Sequence, residues 1–520
     1  MDSQWETVWD VLLHRAEETP DGLIAVDEHG RRLTFAQLRD EAEAVAAHLV
    51  TLGVGQDTVV SWQLPTRVES MILMAALTRL GALQNPIVPI SREREVGFMV
   101  EQLRTRLLVV PTVVRGFDHA AMARGLRARN PELDVLVLED RLPRGDPAVL
   151  PPPPPRPAGF AGYPVRWVLY SSGSTSDPKG ARHTDGSVLT MGRNLIGRLE
   201  LTPDDRVAMV SPFAHIGGMT WFVISLLAGS ANILTERFND EAIAVLSREG
   251  VTIAGTTTPF HEAYLKAQLA SPARIFPNVR AFPGGGATRS MDLHRRLKAA
   301  FGGVGVVSGY GSTETGPLTI PSIHDDDLIL GETEGRPYDT TEIRIVRADG
   351  SLAAVGESGE VCAKGPQMML GYVDPALDSA FDRDGFFHTG DLGSLDAEGN
   401  LRITGRLKDI IIRKGENISS QEVQELLALH PSIEDVAVIG MPDPEVGEMC
   451  CAVAVLAPGV ASLTLADVKE FLLGKGLAVQ KVPERLVFAE SLPRTDTGKI
   501  MRHLLRERLA QGKDDDAPQS

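Results

Sequence analysis

Short β-branched runs alternate with helical stretches along most of this chain, and that alternation restricts the fold more than any single residue does. Residues 58–62, 107–110 and 135–138 read as strands, and 7–18, 34–52, 70–83 and 92–104 as helices. The second helix opens at Thr34, a side chain suited to cap it. The pattern resumes with strands at 166–170, 206–210, 252–256, 279–282 and 304–308 and helices at 240–248 and 290–301. Strands separated by helices pair in parallel, so the expectation is an α/β fold with a large N-terminal domain of layered α/β subdomains. From 342 to 403 short strands with turns at 348–350 and 397–399 take over, as in a β-rich subdomain. After Gly405, strands at 410–413, 435–439 and 451–456 mix with helices at 420–430 and 465–473, giving a small α+β C-terminal domain.

At 520 residues the chain is too long for one core and suggests roughly two to four domains. Lys and Arg number 52 against 69 Asp and Glu, a net charge of −17. Such acidity argues against a nucleic-acid partner held by phosphate neutralisation, while a local positive cleft still suits a small anion. Cys362, Cys450 and Cys451 show no zinc-binding spacing, so free thiols in a reducing cytoplasm are expected. Residues 1–6 lack a basic stretch leading into an apolar one, so no secretory signal is expected. The apolar stretch 70–83 is too short to span a bilayer and reads as a buried helix. Five prolines at 151–155 must be extended, and a stiff connector is favoured over a docking motif because strand-like sequence resumes at once. The acidic tail 514–520 is expected to be disordered.

Chemistry concentrates in a loop that follows an apolar strand directly: Ser171, Ser172, Gly173, Ser174, Thr175, Ser176, Asp177, Pro178, Lys179, Gly180. Five hydroxyls in six residues, with backbone N–H groups and Lys179, suit phosphate oxygens. It is no Walker loop, because Pro178 precedes the lysine and Gly180 follows it. Further along come Pro212–Phe213–Ala214–His215–Ile216–Gly217–Gly218, the run Gly284, Gly285, Gly286, Ala287, and Gly309, Tyr310, Gly311, Ser312, Thr313, Glu314. In the last, a ring can stack on a base, a hydroxyl can bond phosphate and a carboxylate can hold Mg²⁺. His388–Thr389–Gly390–Asp391, then Arg406 and Lys408, then Pro493–Arg494–Thr495–Asp496–Thr497–Gly498–Lys499 complete the series.

In this order the motifs resemble the adenylate-forming superfamily of acyl-CoA synthetases, over residues 7–509. Ser176 stands where the common pattern has glycine. The resemblance implies ATP, Mg²⁺ and coenzyme A as cofactors and AMP with pyrophosphate as products. It divides the chain at residues 1–407, which bind acid, ATP and Mg²⁺, and 408–520, a mobile domain with the catalytic lysine. It assigns Lys499, Thr313, Glu314 and His215 to catalysis and Thr175 with Glu314 to the metal. Nucleotide contacts fall to Ser171, Ser172, Gly173, Ser174, Thr175, Lys179, Gly284, Gly285, Gly286, Ala287, Gly309, Tyr310, Gly311, Ser312, Asp391 and Arg406. Lys408 is the implied hinge, and Lys414, Gly415 and Glu416 the contacts to coenzyme A.

Relatives that activate amino acids carry an Asp near the start of the acyl pocket, and residues 211–221 contain no carboxylate, so an acid without an amino group is favoured. Residues 415–422 are similar to synthetases of medium-chain, alicyclic or steroid-side-chain acids, and Gly217, Gly218, Ala254 and Gly255 hint at a roomy pocket. Alternatives are a ligase acting on a protein-bound phosphopantetheine, a kinase or ATPase, and a non-catalytic nucleotide binder. No Gly-x-Ser-x-Gly elbow is present, which disfavours a serine hydrolase. The resemblance leaves room for a homodimer and for peripheral contact with a membrane.

Overall fold

The computed structural model describes residues 7–171, 177–286, 291–413, 416–443, 446–495 and 498–510. The acidic tail 514–520 lies outside the described residues. Two compact units emerge, one of Met1–Glu342 with Lys364–Phe381, the other of Ile343–Ala363 with Asp382–Ser520.

In the first unit a six-stranded sheet runs in the order Lys179–Thr184, Val165–Ser171, Leu83–Pro86, Val59–Trp62, Leu107–Pro111, Asp134–Leu138. All neighbours are parallel except the first pair, a hairpin whose strands are joined by the hydroxyl-rich loop. The helix Val68–Leu80 is buried almost all round and stops where Gly81 turns left-handed at φ 66°. A side chain there would strike Pro154, and Arg79 donates to the Pro151 carbonyl at 2.7 Å. The proline run is therefore a strap laid along the unit, as its stiffness suggested.

A second sheet orders Arg206–Met209, Ala231–Leu234, Leu23–Asp27 and Arg32–Thr34. Phe282–Gly285 pairs in parallel with Val306–Ser312, which pairs antiparallel with Gly316–Thr319. The strand expected at 252–256 makes only isolated bridges, Ile253 to Val207 and Ala281, and Thr256 to Gly284. Its backbone still links the two sheets. Thr34 caps the helix Phe35–Thr51 through a reciprocal bond with Gln37.

The second unit holds a four-stranded sheet of Glu342–Val346, Gly359–Lys364, Phe387–Leu395 and Leu401–Arg406, the last three antiparallel, which is the β-rich stretch expected from its turns. A further sheet orders Glu416–Ser419, Ile410–Arg413, Gly447–Leu456 and Ile433–Asp443, with Arg485–Phe488 against the third. Alternation along these strands separates two cores. Val436, Val438 and Cys450 face the helices Ser420–Leu427 and Leu465–Gly474, while Ala437, Ile439 and Cys451 face Leu505 and Leu509 of the helix Arg502–Ala510. The adjacent cysteines thus point to opposite faces and are free thiols, as is Cys362. Among the described residues no helix is long and apolar enough to cross a membrane.

Candidate active site

Hairpin register places Ser171 opposite Lys179, so the loop between them leaves and returns at one point on the sheet edge. Ser172, Gly173, Ser174 and Thr175 lie outside the described residues. Ser171 Oγ donates to Glu314 Oε1 at 2.7 Å, which joins the first and fourth motifs across 143 residues. Tyr372 donates its hydroxyl to the same oxygen at 3.2 Å. Burial, and then the Glu314 charge, push the Tyr372 phenol upward, so it stays a donor. Lys179 Nζ lies 6.0 Å from the centre of the Tyr372 ring.

The backbone around Glu314 is fixed from both sides. His183 Nε2 lies 2.8 Å from the Thr313 carbonyl, and Met369 N–H donates to the Glu314 carbonyl at 2.9 Å. His183 is fully buried, and burial holds its imidazole down to about 4, against the opposing pull of the Thr313 carbonyl and the Glu314 charge. Its ring is therefore neutral near pH 7, and Nε2 must carry the proton that it gives to a carbonyl. Ser312 Oγ accepts the N–H groups of Glu314 and Thr315 at 3.2 and 3.3 Å, so this hydroxyl shapes its own loop. At Gly309 a side chain would land on the Thr319 carbonyl, and at Gly311 on the Gly316 carbonyl. These glycines let the antiparallel strand cross closely, and Tyr310 stands half-buried between them. Gly284 and Gly285 end the strand Phe282–Gly285, Gly286 follows at φ 70°, and Ala287 lies outside the described residues.

His215 caps the helix Ile216–Ala228, its Nδ1 accepting Gly217 N–H at 3.3 Å. A Cβ on Gly218 would sit 2.6–2.7 Å from Phe213 and Pro212 backbone atoms, and Ala254 is buried in the core. Their small size serves close packing. The hint of a roomy pocket therefore rests on Gly217 and Gly255 alone.

In the second unit Asp391 and Arg406 are cross-strand partners, with Arg406 Nε 2.7 Å from Asp391 Oδ1. The strand bearing Asp391 is bulged, and Glu360 braces the bulge by accepting Gly390 N–H at 3.1 Å. Lys408 is exposed in the single turn Leu407–Asp409, whose Asp409 faces Arg502 at 3.7 Å and Arg506 at 3.4 Å. Lys414 and Gly415 lie outside the described residues, as does the side chain of Glu416. Lys499 is exposed on a turn that its own backbone closes: Thr495 N–H donates to the Lys499 carbonyl at 2.8 Å and Lys499 N–H to Thr495 Oγ1 at 3.1 Å. Arg494 ties that turn to Asp435 at 2.7 Å.

A family model described as AMP-binding enzyme matches residues 12–373, and one described as AMP-binding enzyme C-terminal domain matches 422–499. The chain belongs to the AMP-binding enzyme family. With the family go a mixed α/β fold with a large N-terminal and a small C-terminal domain, and the class of AMP-forming acid–thiol ligases. The medium-chain fatty-acid–CoA ligase of Escherichia coli is 31% identical over 503 residues, covering 95% of this chain and 88% of the relative. The salicyl-AMP ligase / salicyl-S-ArCP synthetase of Mycobacterium tuberculosis is 31% identical over 526 residues, covering 96% and 90%. The crystal structure of ATP-bound MatB from Rhodopseudomonas palustris superposes with a TM-score of 0.85 at 26% identity, covering 97% of this chain and 100% of that one.

In this AMP-binding enzyme motif reading missed three residues: Tyr372 and His183, which hold Glu314 and its loop in the first unit, and Glu360, which braces the Asp391 strand in the second. Only His183 left a signal, a polar side chain in a short strand just after the hydroxyl-rich loop.

Proposed function

We propose that this enzyme adenylates a carboxylic acid lacking an amino group, of medium-chain, alicyclic or steroid-side-chain type, and transfers the acyl group to coenzyme A. The absence of any carboxylate from residues 211–221 carries this reading, since a substrate ammonium at the His215 helix start would meet no counter-charge there. The similarity to a medium-chain fatty-acid–CoA ligase supports it.

A carboxylate oxygen attacks the α-phosphorus of ATP, pyrophosphate leaves, and an acyl-adenylate forms. Two anions must approach, so the site supplies positive charge and N–H donors from the loop 171–180 and the ammonium of Lys499. Mg²⁺ takes oxygen donors, and Glu314 fits it: among the described residues both hydroxyls bond Oε1, which leaves Oε2 for a cation, with Thr175 as its companion. The bound ion would screen phosphate charge. Tyr310 stacks on adenine, Thr313 bonds the α-phosphate, and Asp391 with Arg406 holds ribose. In the second half-reaction a thiol sulfur attacks the acyl carbon and AMP departs. Because the turn carrying Lys499 is closed by its own bonds, the lysine is withdrawn with its whole domain, 408–520, about Lys408 rather than by loop motion. Lys414, Gly415 and Glu416 then serve coenzyme A.

A carrier-protein acceptor is the second reading, favoured by the similarity to a salicyl-S-ArCP synthetase. Pyrophosphate release across straight-chain, alicyclic, steroid-side-chain, aromatic and amino acids, with and without coenzyme A, tests both. Highest kcat/KM with medium-chain or alicyclic acids and formation of the CoA thioester are expected. Preference for an amino acid, or an acyl-adenylate that coenzyme A cannot discharge, would count against the first reading.

A further inference from the structure

Three donor atoms of different chemistry converge on the antiparallel sheet of the second unit. Cys362 lies directly across from His388 in the pairing of Gly359–Lys364 with Phe387–Leu395, and Glu360 precedes Cys362 by two residues. His388 Nδ1 is 2.7 Å from Glu360 Oε2 and 3.4 Å from Cys362 Sγ, and one atom from each residue falls within 4.8 Å of the other two. Glu360 Oε1 is held by Gly390 N–H at 3.1 Å, so a backbone group aims the carboxylate, as outer partners aim metal ligands. The thiol lies at the bottom, 1% exposed, whereas the His388 and Glu360 side chains keep 35% and 19% of their surface open to solvent.

Thiolate, imidazole and a single carboxylate make a three-ligand set for tetrahedral zinc, with water in the fourth position. Magnesium and calcium, which take shells of oxygen, are poorly served by it. We propose that Glu360, Cys362 and His388 bind a zinc-class divalent cation, with donors distinct from Glu314. On binding, the Cys362 proton passes to solvent as the metal–sulfur bond forms. The proton that His388 Nδ1 shares with Glu360 moves by way of solvent to Nε2, so the hydrogen bond between the two side chains is replaced by one bond from each to the metal. Asp391 follows His388 by three residues in the same bulged strand, so occupancy stiffens the segment that carries it.

The full chain, made without a histidine tag and stripped with a chelator, is titrated with cobalt(II) in excess Mg²⁺. One equivalent should develop a sulfur-to-cobalt charge-transfer band that zinc abolishes. Cys362→Ser should lose the band and bind zinc at least about 10-fold more weakly, since even outer partners of a metal site are worth that much. The double variant Cys450→Ser/Cys451→Ser should retain both properties. No band in the wild type, or a band that persists in a Cys362→Ser protein shown folded by circular dichroism, overturns the proposal. Should that variant not fold, His388→Ala decides, and unchanged stoichiometry and affinity there would equally overturn it.

Discussion

His183 occupies the strand leaving the hydroxyl-rich loop and reaches the Thr313 carbonyl 130 residues away. Its imidazole resists protonation down to about 4, whereas an exposed histidine titrates near 6.5, so the unfolded chain binds the proton first. Stability contributed by the neutral ring is complete above about pH 6.5 and falls as the pH drops toward 4. From pH 7 to pH 5 the loss amounts to about 2 kcal/mol. Thermal melts should show His183→Gln less stable at pH 7 but with a shallower decline to pH 5 than the wild type. Parallel declines would mean that other groups govern acid lability. At Lys499 the expectation is kinetic: Lys499→Ala should slow acid-dependent ATP–pyrophosphate exchange by roughly 100-fold or more while the fold stays intact. Ser171 and Glu314 were both legible in the sequence, because hydroxyl-rich and carboxylate-ending loops follow apolar strands. Tyr372 was not. Its place beside Glu314 comes from residues 369–373 lying along Lys179–Thr184, with Val373 N–H on the Gly180 carbonyl at 2.8 Å, and long-range pairing leaves no local pattern.

Among the elements, the crossing of Val306–Ser312 by Gly316–Thr319 tolerates no Cβ at Gly309, so Gly309→Ala should lower stability by roughly 1–3 kcal/mol in urea unfolding. Unchanged stability would mean that the two strands part more easily than their packing indicates. The single turn Leu407–Asp409 joins two sheets of the second unit, and Lys408 is exposed at its centre. A rigid φ there should obstruct rotation, so Lys408→Pro should spare the adenylation half-reaction and depress thioester formation, measured separately by exchange and by acyl transfer. Equal losses would remove Lys408 as the hinge. Element boundaries were legible where punctuation is local. The helix expected at 70–83 runs as Val68–Leu80 because Gly81 supplies its left-handed cap. The strand expected at 252–256 carries the right residues but meets each neighbour at single points, a matter of register that composition does not encode.

For the whole molecule, alternating strands and helices and the later run of short strands marked the layered units, since each pattern must bury its own apolar face. What the sequence could not mark is that Lys364–Phe381 returns to the first unit after Ile343–Ala363 has joined the second. That excursion brings Tyr372 to Glu314 and depends on contacts far apart in the chain. Direct attack of a carboxylate on the α-phosphorus of ATP is the step on which the proposed function depends, and isotope transfer tests it without knowledge of the natural acid. An accepted acid labelled with oxygen-18 in its carboxylate is turned over with ATP and coenzyme A, and the nucleotide product is weighed by mass spectrometry. AMP carrying one labelled oxygen is the predicted result; ADP as the product, or AMP without the label, would contradict it.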